Sequence, residues 1–273
     1  MFGIKNGELK LLSILFLAVI LGGCNSTESV NNNPVAEGVK VLFIGNSLTF
    51  YNDVPGTFAN FCSLSGKQVF VGKSLIGGAS LQDHSLSVQT TDLIFQYQWD
   101  YVVIQGGSYT AAYPEYFHEA YQPALLLKNF IKANNSDTDI IFFMGFSAAD
   151  SVEAIFSGIG YNEMQNLIDS GAHLMADSLG FMIAPVGAAW RTVYNNRPDI
   201  MLYDYDGIHP SPAGSYLEAS VYYGTIFRES CVGLNYLGGL STENANYLQQ
   251  IGSNTVLNNL ELWHLPSISN HLY

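Results

Sequence analysis

Two short runs hold side chains that could carry covalent chemistry together. Gly45-Asn46-Ser47-Leu48-Thr49 sets a serine in a small-residue turn directly behind an apolar run. Asp204-Tyr205-Asp206-Gly207-Ile208-His209-Pro210 sets an acid three residues before a histidine. On a rigid turn, that spacing lets the carboxylate reach imidazole Nδ1 and leaves Nε2 facing outward as a general base. A base so oriented can activate a serine hydroxyl for attack on a carbonyl carbon. Singly, each run has a plain structural explanation. A serine in a glycine-containing turn often caps a helix, and so does an aspartate beside a surface histidine. Their pairing asks which elements would bring them together.

Five continuous apolar runs cover residues 39–44, 68–71, 101–104, 140–144 and 181–184. Runs of this kind, rather than alternating ones, suit strands buried on both faces of a parallel sheet. The segments between them read as helices. Met164, Leu167, Ile168, Ala172, Met175 and Leu179 recur in steps of three and four, which puts them on one helical face. Asp53 precedes Val54-Pro55 as a helix cap, and Ser211-Pro212 pairs a cap with a proline at the first turn, opening a helix to about Phe227. A last helix is predicted over 242–260, with Gly252 as a weak point inside it. Strands alternating with helices imply right-handed crossovers and an α/β fold, a three-layer α/β/α sandwich on a five-stranded parallel sheet. Ligands in such folds sit outside the carboxyl ends of the strands. Ser47 falls at that edge.

The chain has 273 residues, 48% apolar and only 12% charged, which supports a large core and one domain. Its 23 acidic and 10 basic residues give a net charge of −13, which argues against a nucleic-acid partner. Lys5 and Lys10 lead into an apolar run from Leu11 to Leu21, broken only by Ser13, that is short for a membrane span and fits a signal peptide. It ends in Leu21-Gly22-Gly23-Cys24, which resembles a bacterial lipobox. The expected organisation is a lipoprotein leader over 1–23, a lipidated Cys24 with a polar tether over 24–38, and one domain over 39–273. Acyl chains contribute about 0.8 kcal/mol per buried methylene, so several would hold the chain on a membrane. Asn25 in place of Asp favours the outer membrane. Cys62 and Cys231 are left either to pair or to stay as buried thiols. No Cys/His spacing matches a zinc site, and the chemistry above needs no metal or organic cofactor.

The two reactive runs together resemble the SGNH (GDSL-like) hydrolases. Gly45-Asn46-Ser47-Leu48-Thr49 is similar to that family's first block, and Asp206-x-x-His209-Pro210-Ser211 to its last, so the resemblance spans about 39–227. Gly78, in Ile76-Gly77-Gly78-Ala79, matches the glycine of the second block. The third block departs from the pattern. In place of Gly-x-Asn-Asp the chain carries Ile104-Gln105-Gly106-Gly107-Ser108, similar to a subgroup with Gln at this strand end. The resemblance implies a flavodoxin-like sheet and a triad of Ser47 nucleophile, His209 base and Asp206 as orienting acid. It further implies an oxyanion hole from the Ser47 and Gly78 N–H groups and the Gln105 amide, with Ser108 as the alternative third donor. Asp204 is off the family spacing.

The implied activity is hydrolysis of O-acyl esters, acetyl esters among them, on a small molecule, a carbohydrate or the cell envelope. His84, Trp190 and Arg191 are candidates for substrate contact, each with a competing explanation in core or surface packing. Two other functions fit the same residues: a non-catalytic glycan-binding surface lipoprotein, and a transacylase.

Overall fold

Val41, Leu42, Phe43 and Ile44 are fully buried, as are Val102, Val103 and Ile104. They lie on two of the three inner strands of the sheet in the computed structural model, which describes residues 38–267. The expected signal peptide and lipobox, the expected lipidation site Cys24 and nearly all of the expected tether lie outside the described residues. Five strands, β1 (Val39–Gly45), β2 (Val69–Leu75), β3 (Tyr101–Ile104), β4 (Asp139–Phe143) and β5 (Met182–Ala184), are ordered β2-β1-β3-β4-β5. All four pairings are parallel. This is the flavodoxin-like order, with its switch point between β1 and β3.

Ten α-helices are described: α1 (Ser47–Phe50), α2 (Val54–Leu64), α3 (Leu81–Leu86), α4 (Val88–Gln96), α5 (Phe117–Asn134), α6 (Asp150–Phe156), α7 (Tyr161–Leu179), α8 (Val186–Asn196), α9 (Pro212–Phe227) and α10 (Thr242–Leu257). They lie on both sides of the sheet. In one group α9 packs against α2 and α10; in another α5 packs against α3 and α4.

Most expected strands are where the apolar runs place them. β2 extends four residues beyond its run because Gly72 to Leu75 stay in register with Leu42 to Gly45 of β1. As an edge strand it tolerates the exposed Lys73, which interrupts the apolar pattern. α7, α9 and α10 match the expected helices, with α10 ending at Leu257. Gly252 sits in α10 for a packing reason: a Cβ there would lie 2.7 Å from Ser220 Cβ of α9. Cys62 and Cys231 are free and buried. Burial pushes the Cys62 thiol up to about 12, against the pull of nearby Lys67. Among the described residues, no helix is long and apolar enough to cross a membrane.

Candidate active site

β1 ends at Gly45, which is pressed against the next strand end: a Cβ there would lie 2.5 Å from Gln105 Oε1. Asn46 then caps α1, its Oδ1 accepting from Leu48 N at 3.1 Å. Its Nδ2 donates to the Ala79 carbonyl at 2.9 Å, tying the turn after β1 to the loop after β2. Ser47 is therefore the first residue of α1, where backbone N–H groups have no helical acceptor. Gly78 stands in the loop tied by Ala79, at φ +70° and exposed.

The acid and base come from the loop before α9. Asp204 N donates to His209 O at 2.8 Å and Ser211 N to Leu202 O at 2.9 Å, closing residues 202–211 into a narrow loop. Gly207 takes φ +69° at its tip, and a Cβ there would meet Val152 Cγ2 at 2.7 Å. Asp206 Oδ1 accepts from the N–H groups of Ile208 and His209, both at 2.9 Å. Its Oδ2 lies 2.5 Å from His209 Nδ1, and His209 Nε2 lies 2.9 Å from Ser47 Oγ. With Nδ1–H donating to the carboxylate, Nε2 is the acceptor for the serine hydroxyl. Partial burial works to raise the Asp206 pKa. The hydrogen bonds from His209 and the two N–H groups outweigh it and hold the carboxyl below its usual range.

Three contacts that the sequence did not flag lock this loop in place. The Tyr51 ring stacks on the His209 imidazole, with centroids 4.3 Å apart and planes at 14°. Asn52, in the left-handed region at φ 53°, donates from Nδ2 to Pro210 O at 2.9 Å and to Ser215 Oγ at 3.0 Å. Asn is among the few non-glycine residues that adopt this conformation readily, which is the signal that Tyr51-Asn52-Asp53 offered besides the Asp53 cap. From the other side, Ala149 N donates to Gly207 O at 2.8 Å. The stretch leading to Ala149 is anchored by buried Glu153, which accepts from Ser147 Oγ at 2.9 Å and from Tyr109 OH at 2.5 Å, while Ala148 N donates to that same Tyr109 oxygen.

Several expected contact residues do other work. Gln105 is fully buried, and its Oε1 accepts from Asn46 N at 2.7 Å and Thr49 Oγ1 at 3.0 Å. The Asn46 N–H fixes which end of the amide is oxygen, because it can only donate. Nε2 donates to Gly106 O at 2.7 Å. Gln105 therefore braces the serine turn from behind rather than offering a donor in front of it. Ser108 Oγ is buried against Gly145, where a Cβ would lie 2.0 Å from it. Asp204 is exposed and accepts from Tyr205 N, outside the relay.

His84 is a core residue. Its Nε2 lies 2.9 Å from the Gly45 carbonyl and must carry the proton, so Nδ1 accepts from Thr90 Oγ1 at 3.1 Å. Burial lowers its pKa, against the opposing pull of the Gly45 carbonyl and Asp83. Trp190 is fully buried and stacked on Phe146 at 3.7 Å. Arg191 pairs with Asp169 at 2.6 Å and Asn166 at 2.8 Å. Asp169 in turn accepts from Gln165, whose oxygen receives Ser147 N at 2.8 Å, so Arg191 braces the stretch behind Ala149.

No sequence-family model matches the chain, nor does any curated protein sequence. Solved structures do share its fold. A DUF4886 family protein from Bacteroides uniformis superposes with a TM-score of 0.71 at 18% identity, over 80% of this chain and 95% of that one. A protein from Slackia heliotrinireducens assigned to the SGNH hydrolases gives 0.60 at 26% identity, over 69% and 99%. A catalytic mutant of an acetylxylan esterase from Geobacillus stearothermophilus gives 0.50 at 18% identity, over 68% and 92%. The structural neighbours of this chain include SGNH and GDSL-like hydrolases, and its sheet has their architecture.

Proposed function

We propose that this chain is a serine esterase of the SGNH hydrolase type, with Ser47 as nucleophile, His209 as general base and Asp206 as the acid that orients it. The observation that carries this reading is the unbroken relay from Asp206 through His209 to Ser47 Oγ, between residues 162 positions apart in sequence. In the first half-reaction Ser47 Oγ bonds to the ester carbonyl carbon while its proton passes to His209 Nε2. The carbonyl oxygen becomes an anion, held by the N–H groups of Ser47 and Gly78. His209 returns the proton to the departing alcohol, leaving an acyl group on Ser47. Water then attacks by the same path and frees the acid.

Each oxyanion donor is worth about 100- to 1000-fold in rate, so a hole of two backbone donors still provides large stabilisation. Gln105 enters as a positioning residue through Asn46 and Thr49. An acetylxylan esterase among the neighbours makes acetyl the acyl group to test first. The lipobox-like Leu21-Gly22-Gly23-Cys24 supports an exported, lipid-anchored enzyme facing the cell envelope.

The test is covalent labelling of the full chain in detergent with a fluorophosphonate probe. Wild type should label, while Ser47→Ala and His209→Ala should not. A folded wild type that stays unlabelled would remove the esterase reading and leave a binding protein on this fold.

A further inference from the structure

The chain segments after β2 and β3 that tie down the Ser47 turn continue into a cleft that no catalytic step above uses. A cavity of about 160 Å³ lies between the start of α3, the Gly106-Gly107 turn and α5. Its walls begin one residue beyond Ala79 and Gln105, the two residues bonded to Asn46 beside the nucleophile. Its floor is apolar, from Leu81, Ala111, Ala120 and Phe142. Next to it, a second cleft of about 490 Å³ runs between α3 and α5, and both are lined by Gln82 and Glu119.

The larger cleft is lined by Gln82, His118, Glu119, Gln122 and Asn129, whose side chains have no hydrogen-bond partner among the described residues. All five residues are exposed. Between them lie Leu86, Pro123 and Leu126, of which Leu86 is 70% exposed. An acyl chain needs a dry, apolar wall, and here it would strip water from a carboxylate and several amide and imidazole groups. A sugar ring has the opposite requirement: apolar C–H faces for the leucines and proline, and hydroxyls for the amides and carboxylate.

We propose that this cleft binds the alcohol side of the ester, and that this alcohol is a neutral oligosaccharide. The proposal rests on the esterase reading for the orientation of the substrate, since the leaving oxygen belongs to the sugar. Glu119 and Gln82, at the junction of the two cavities, contact the sugar unit nearest the scissile bond. The Glu119 carboxylate selects against uronic acids and other anionic sugars, because a second negative charge there would have no cation to meet it.

The experiment is calorimetric titration of the full chain in detergent with unacetylated trisaccharides: xylotriose, cellotriose, mannotriose, chitotriose and, as the anionic counterpart, trigalacturonic acid. At least one neutral sugar should bind saturably and the anionic one should not. Glu119→Ala and Gln82→Ala, with melting temperatures within a few degrees of wild type, should weaken that binding tenfold or more.

The absence of saturable binding by every neutral sugar, or binding indifferent to both substitutions, would overturn the proposal. So would a rise in kcat/KM from acetyl to octanoyl p-nitrophenyl esters that Glu119→Ala abolishes, since that would make the cleft an acyl site. Labelling of Ser47 reports separately on the chemistry. Labelling without sugar binding leaves the esterase reading standing and removes this inference. Sugar binding without labelling leaves a glycan-binding cleft beside an inert serine, and removes the esterase reading instead.

Discussion

Asp206 makes two kinds of bond at once, one oxygen holding its own loop and the other holding the imidazole. Replacing it with Asn keeps an oxygen for the backbone but turns an NH₂ group toward Nδ1, which favours the wrong imidazole tautomer. Asp206→Asn should lower kcat by about 10⁴-fold with a small change in KM; a loss under tenfold, measured on p-nitrophenyl acetate, would deny Asp206 the orienting role. The carboxyl lies below its usual range in the folded chain. Its contribution to folding is therefore complete above the ordinary carboxylate pKa and is lost only as pH falls through the lower folded value. The three relay residues were legible because residue type and spacing carry their chemistry. Gln105 was legible as a residue and not as a role: which end of an amide faces which neighbour depends on partners 56 and 59 residues away. His84 and Trp190 stayed open between substrate contact and packing for a related reason, since a position near the catalytic edge says nothing of whether the side chain turns into the core, as both do.

At the level of elements, the core strands and capped helices were readable from local pattern. The apolar runs on β1 and β3 need no context, and Ser211-Pro212 marks the start of α9 through its own hydrogen bonds to Ala213 and Gly214. What the sequence could not convey was α9's surroundings, where nearly every residue is buried between α2, α10 and the sheet. Gly252 read as a defect in a helix and is instead the point of closest approach to α9. Gly252→Ala should destabilise the fold by about 1–3 kcal/mol despite its gain in helix propensity, because the added methyl must displace Ser220. Urea denaturation decides between the two effects; a more stable variant would show that α9 and α10 can move apart at little cost.

For the molecule as a whole, one buried acid links stability to pH. Glu218, on α9, has no exposure and neither carboxyl oxygen has a partner among the described residues. Burial raises its pKa well above the usual range, only partly opposed by Tyr222 one turn on. The sign follows from linkage: the unfolded chain gives up this proton at ordinary carboxylate pH while the folded chain keeps it. The stability is complete in acid and declines as pH rises. Relative to Glu218→Gln, wild type should lose about 1.4 kcal/mol per pH unit across the range where only the unfolded form is ionised. Parallel stability profiles for the two proteins between pH 4 and 8 would show that Glu218 titrates as if exposed.

The ties around Ser47 reach the ends of β1, β2, β3 and β4, through Asn46 to Ala79, Gln105 to Asn46, and Ala149 to Gly207. A chain leaving the ribosome presents Ser47, the proposed nucleophile, early and His209, its proposed base, more than 160 residues later. On the proposed mechanism Ser47 is an ordinary alcohol until that last loop docks, so an unfinished or unfolded chain would be chemically silent, and any hydrolysis would itself report that the sheet has been completed.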